Sequence, residues 1–243
     1  MTDGGVAKLD DEIAGVRAAL RWGVLLAGRL NPYHEPAGSP IGGQFAKAPG
    51  GGGLQVGDSP IAFLVKIQID DANLPETHTA GLKRIDFQEQ RLIASHSISG
   101  KIVEAYGTYD PDGQKILLAS NAREGLGTSN ISVIGGGSVL HEIGHHVHMR
   151  RLMDKAANEW AGISQNGQSA LISAYARTNQ GEHFAEAYRA YALGKEKRDG
   201  LRSLEPQSYR FMQKVFRSKA DYIQPVGHET PAPQAWARYR GMP

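Results

Sequence analysis

Apolar positions fall at helical intervals in several stretches of this chain and in short strand-length runs between them. Val139, Leu140, Ile143, Val147 and Met149 predict a helix over residues 138–151. Gly135-Gly136-Gly137 leads into it with Ser138 as N-cap, and Arg150 and Arg151 lie near its end, where the helix dipole favours cations. A second helix is predicted after Asn179, which can cap it. It carries Glu182 and Glu186 on one face and offers Phe184, Ala187, Tyr191 and Leu193 for packing. Residues 206–216 read as a further helix, and residues 10–30 as an N-terminal one through Ile13, Val16, Leu20 and Val24, interrupted by Arg17 and Arg21. Residues 61–69, 82–87, 101–106 and 115–119 read as strands, with Asp110-Pro111-Asp112-Gly113 turning the chain between the last two. The predicted class is α+β, a small mixed sheet followed by helices.

Proline and glycine divide the chain. Residues 31–53 are dense in both and predict an extended linker, so residues 1–53 form a helix plus linker, residues 54–220 the main domain and residues 221–243 an irregular proline-containing tail. The 40% hydrophobic share is enough for a globular core, while a net charge of +2 points to neither nucleic acid nor a membrane surface. The apolar run over residues 22–27 is too short to span a bilayer. Asp10-Asp11-Glu12 stands before it in place of a basic leader, so no signal peptide is expected and the location reads as cytoplasmic or virion-associated. The absence of cysteine fits a reducing compartment.

Chemistry concentrates in His141-Glu142-Ile143-Gly144-His145. Residues four apart on a helix stack on one face a turn apart, so His141 and His145 can chelate one ion, and Glu142 beside them is placed as general base for an attacking water. His146 and His148 point off that stripe and read as non-ligands. A third ligand is needed. One zincin class supplies a histidine six residues after the second, but Arg151 stands there, and no cysteine exists to replace it. A carboxylate from a later helix remains, and Glu182 is the candidate. Lying three residues after Asn179, it could instead close a capping box on the Asn179 N–H.

The histidine motif, together with Tyr175-Ala176-Arg177-Thr178-Asn179 and Glu182-His183-Phe184-Ala185-Glu186-Ala187, resembles the catalytic domain of anthrax toxin lethal factor and its relatives, zinc peptidases of the gluzincin type. The resemblance implies one Zn2+ held by His141, His145 and Glu182, Glu142 as base, Tyr175 as hydrogen-bond donor to the oxyanion or leaving group, and Glu186 orienting a ligand histidine. It also implies a zincin-like fold and hydrolysis of a protein or peptide substrate, with one edge strand binding the substrate backbone by β-addition. Gln180-Gly181 and His183 are small departures, residues that the resemblance does not itself require.

Residues 31–53 are similar to short segments of tailed-phage head and portal proteins, which implies a phage or prophage origin and phage structural proteins as partners of the N-terminal segment. Three uses compete: a phage-associated protease, a toxin-like effector cleaving a host protein, and a virion structural or adaptor protein whose metal only stabilises it.

Overall fold

A computed structural model of the protein describes residues 54–59, 62–88, 92–95, 102–105, 107–119, 137–231, 233–235 and 237. The predicted N-terminal helix and the linker over residues 31–53 lie outside them. Strand β1 (Gln55–Val56) is followed by helices α1 (Ala62–Ala72) and α2 (Glu76–Thr79), then strands β2 (Arg84–Gln88), β3 (Leu92–Ser95), β4 (Ile102–Ala105), β5 (Gly107–Asp110) and β6 (Lys115–Ala119). After residue 137 the chain is helical: α3 (Ser138–His146) runs into a π-helical turn (Val147–Arg151), followed by α4 (Asp154–Ser164), a 3-10 turn (Tyr175–Arg177), α5 (Gln180–Ala192), α6 (Lys195–Leu204) and α7 (Pro206–Phe216). This is the α+β arrangement the hydrophobic pattern implies. Among the described residues no helix is long and apolar enough to cross a membrane.

The main sheet has the order β1-β2-β6-β5, with β1, β2 and β6 parallel and β5 antiparallel to β6; β3 and β4 form a separate antiparallel pair. Register is set by alternation. Ile85 lies opposite Ile116, both fully buried, and Leu118 follows on the same face of β6. Asp110 closes the β5–β6 hairpin by accepting the N–H groups of Asp112 and Gly113 at 3.0 and 3.1 Å.

Residues 61–69 are a correction. The sequence predicts a strand, and the structure forms α1. Its buried residues are Val65 and Ile69, one turn apart, while Phe63 stays 61% exposed. Seven of these nine residues are apolar, and Lys66 and Gln68 alternate with Val65, Ile67 and Ile69 in a strand-like period, so the pattern does not distinguish a strand from a half-buried helix. Ser138 is a smaller correction. It is the first residue of α3, and Gly137 at φ 76° occupies the cap position.

The helical half is built around two helices that water hardly reaches. Every residue of α3 from Val139 to His146 is buried, and so is α5 from Gln180 to Tyr188. Helices apolar on one stripe only would sit at the surface; these two are enclosed by α4, α7 and the sheet. An aromatic cluster fills the space behind them, with the Trp160 ring 5.1 Å from Phe211 and 5.2 Å from Phe184. The chain beyond α7 packs back on the end of the π turn. Ile223 bridges Leu152, and the Gln224 and Thr230 N–H groups donate to the Arg151 and Arg150 carbonyls. Arg151, fully buried, donates to the main-chain oxygens of Thr77 at 2.9 Å, His228 at 2.6 Å, Gln224 at 2.6 Å and Pro225 at 2.9 Å.

Candidate metal centre

Helix α3 crosses α5 at Gly144. A Cβ there would lie 2.9 Å from the Ala185 Cα and 3.2 Å from the Tyr188 Cβ, so the missing side chain lets the backbones close. That approach brings His141 and His145 on α3 to face Glu182 on the first turn of α5. Asn179 caps α5 by accepting the Glu182 N–H at 2.9 Å, while the Glu182 carboxylate turns to the imidazoles.

The donor atoms form a triangle. His141 Nε2 is 3.1 Å from Glu182 Oε2 and 3.1 Å from His145 Nε2, and His145 Nε2 is 3.3 Å from Glu182 Oε2. A tetrahedral ion with bonds of about 2.0–2.1 Å has edges of about 3.3 Å, so these three atoms match one face of such a polyhedron. Among the described residues no fourth histidine, aspartate or glutamate joins the group. A tetrahedral ion held there would keep one position for another ligand.

Glu186, one turn after Glu182, orients the histidine. Its Oε1 lies 2.8 Å from His141 Nδ1, and a carboxylate can only accept there, so Nδ1 carries a proton and Nε2 is the nitrogen that faces the triangle, open to an ion once its own proton leaves. Arg189 holds the other Glu186 oxygen at 2.9 Å. Burial would raise the Glu186 carboxyl, yet His141, Arg189 and Ser173 bring it below its usual range. Neither Ser173 nor Arg189 stands out in sequence, because each acts through Glu186.

Burial alone would depress the His141 imidazole, but the hydrogen bonds it donates to Glu182 and Glu186 push it up to about 10. A proton and a metal ion therefore compete for the same nitrogen. Because the metal-free site holds its proton up to about pH 10, affinity for zinc should rise about tenfold per pH unit below that value, with about one proton expelled per ion bound near neutrality. Titration calorimetry in buffers of different ionisation enthalpy reads the proton directly, and a pH-independent dissociation constant would contradict the expectation.

Glu142 stands apart from the triangle. Burial pushes its carboxyl up, opposed by His141 and His145. It lies under Gly107, the first residue of edge strand β5. A Cβ on Gly107 would come within 2.8 Å of both the Glu142 Cγ and Oε1, so only glycine leaves the carboxylate its place. Sequence reading missed β5 and its glycine. A lone glycine before a threonine carries no strand signal, and the only hint was its place just ahead of the Asp110 turn.

Tyr175 opens the 3-10 turn, with its ring tilted 35° against His141 at 5.7 Å between centroids and 43% of the residue exposed. His146 and His148 take other roles. His146 pairs with the Tyr109 hydroxyl at 2.8 Å and the Ala80 carbonyl at 2.9 Å, and His148 stacks on Phe184.

No curated protein matches the chain. Residues 94–215, half of it and the stretch holding both motifs, match the family model described as anthrax toxin lethal factor, N- and C-terminal domain. With a histidine helix and a carboxylate helix crossing so closely that three donors meet in the core, this chain belongs to the anthrax toxin lethal factor family.

Proposed function

We propose that this protein is a zinc-dependent endopeptidase. The observation that carries the reading is the division of labour among buried groups: three donors spaced for one ion, and a carboxylate, Glu142, beside them but outside the triangle. A site serving stability alone is normally closed by a fourth protein ligand. When bound, zinc supplies a Lewis acid that lowers the pKa of a coordinated water from 15.7 to about 7.

The chain's own residues do the rest. Glu142, its pKa raised by burial, accepts the proton of the attacking water and returns it to the amine leaving group. The Tyr175 hydroxyl donates to the oxyanion of the tetrahedral intermediate or to the leaving group. Glu186 keeps His141 in one tautomer. β5 is the natural substrate strand. It lies at the outer edge of the main sheet, so an extended peptide can add to it, and its first residue touches Glu142.

The substrate is a protein or peptide. We assign the catalytic unit to residues 54–220, behind a helix and linker over 1–53 and ahead of a tail over 221–243. A phage or prophage setting rests on the likeness of residues 31–53 alone, which the family match does not reach. The test is digestion of a broad peptide library by protein of measured zinc content, stripped with a chelator and then reconstituted. Cleavage lost with the metal and restored with it is expected; a library untouched by zinc-loaded protein would overturn the reading.

A further inference from the structure

Behind the metal centre lies a second buried group. Glu205, the residue before Pro206 at the start of α7, is 6% exposed and reaches three partners from elsewhere in the fold. Its Oε1 accepts the main-chain N–H of Leu171 at 2.6 Å and of Ile172 at 2.9 Å, and its Oε2 lies 2.7 Å from His183 Nε2. His183 Nδ1 in turn lies 3.1 Å from the Ser164 hydroxyl oxygen, which accepts the Gly167 N–H at 2.9 Å. Burial would raise the Glu205 carboxyl, but His183 and the Leu171 N–H hold it at about 2, so it is a full anion at neutral pH.

These contacts converge on the segment between α4 and the 3-10 turn. The far end of that segment is closed by Arg177 Nε donating to the Ala170 carbonyl at 2.9 Å, and Tyr175 sits inside the loop thus tied. The near end is fixed only three residues before Tyr175, at Ile172. The same carboxylate grips His183, whose neighbour Glu182 faces the two imidazoles.

We infer that Glu205 is a positioning residue for Tyr175, its carboxylate clamping the 171–172 backbone against the first turn of α5 so that the tyrosine hydroxyl is held over the metal centre. The inference rests on the peptidase reading and adds a residue remote from the chemistry to it. The clamp is geometric. A displacement of about 1 Å at a group that meets the transition state can cost about 100-fold in rate.

The test is a double-mutant cycle on zinc-loaded, full-length protein. Glu205→Ala should lower kcat by about 10–100-fold with KM and zinc content unchanged. Paired with Tyr175→Phe, it should add less than about twofold, because its effect passes through the hydroxyl already removed. Glu205→Gln should recover most of the kcat, since its amide oxygen can still accept both N–H groups while His183 exchanges tautomers. Hydrogen exchange gives a readout independent of turnover. The Leu171 and Ile172 amides should be protected in wild type and open in Glu205→Ala. Should the alanine variant not fold, Glu205→Asp, one methylene too short to hold both amides and His183 together, takes its place in the cycle. An equal fold-loss on removing the carboxylate, whether Tyr175 is intact or already replaced in Tyr175→Phe, would overturn the role, as would amides still protected without the carboxylate. A wild-type protein that cleaves no peptide falls against the peptidase reading and takes this inference with it, whereas equal losses fall on Glu205 alone.

Discussion

Glu142→Gln is expected to abolish peptide cleavage, by about 10²–10⁴-fold in kcat, while zinc stays bound at one ion per chain. The substitution keeps the shape of a side chain wedged beneath Gly107, so β5 and α3 need not move. It also leaves His141, His145 and Glu182 untouched, and Glu142 is not one of the three converging donors. What it removes is a proton acceptor whose affinity for the proton burial has raised. Metal analysis beside a peptide-digestion time course separates the two effects. Cleavage at the wild-type rate by the zinc-loaded variant would exclude Glu142 as the base; loss of zinc along with activity would place Glu142 among the ligands.

Gly144→Val should do the reverse, damaging the metal site without altering a donor. The added Cβ meets the Ala185 Cα at 2.9 Å, a backbone atom that cannot swing aside, and the Tyr188 Cβ at 3.2 Å. Helices α3 and α5 must part, and with them the two imidazoles and the carboxylate whose spacing suits a tetrahedral ion. Overpacking of this kind costs about 3 kcal/mol. Urea unfolding should show the loss in the metal-free protein, and a zinc titration should show weakened affinity in addition. Wild-type values in both would mean that the crossing is looser than its contacts indicate.

The two site helices could be read from sequence because their signals are local. The histidine motif repeats at one helical turn, and Asn179 followed by Glu182 marks a helix start whatever the carboxylate does next. What sequence left open was which of two local roles Glu182 takes, and only the approach of α3 at Gly144 decides it for the imidazoles. The strand over residues 115–119 was legible by its apolar run, whereas β5, short and polar at an edge, was not. α1 was misread since Lys66 and Gln68, set between Val65, Ile67 and Ile69, alternate as they would in a strand, although the buried pair, Val65 and Ile69, lies one helical turn apart. Glu205 illustrates the general limit. In sequence it is an acidic residue before a helix-starting proline, and the amides it holds lie 33 and 34 residues earlier.

Arg151 buries a cation whose four partners are all main-chain oxygens. Peptide carbonyls are the same for every amino acid, so the identities of residues 77, 224, 225 and 228 hardly matter to this anchorage. Their spacing does. A one-residue deletion anywhere from 224 to 228 would carry oxygens out of reach and strand a guanidinium in the interior, a far graver insult than exchanging any side chain there. At residues 224–228 this anchorage thus depends on the length of the chain rather than on which side chains it carries.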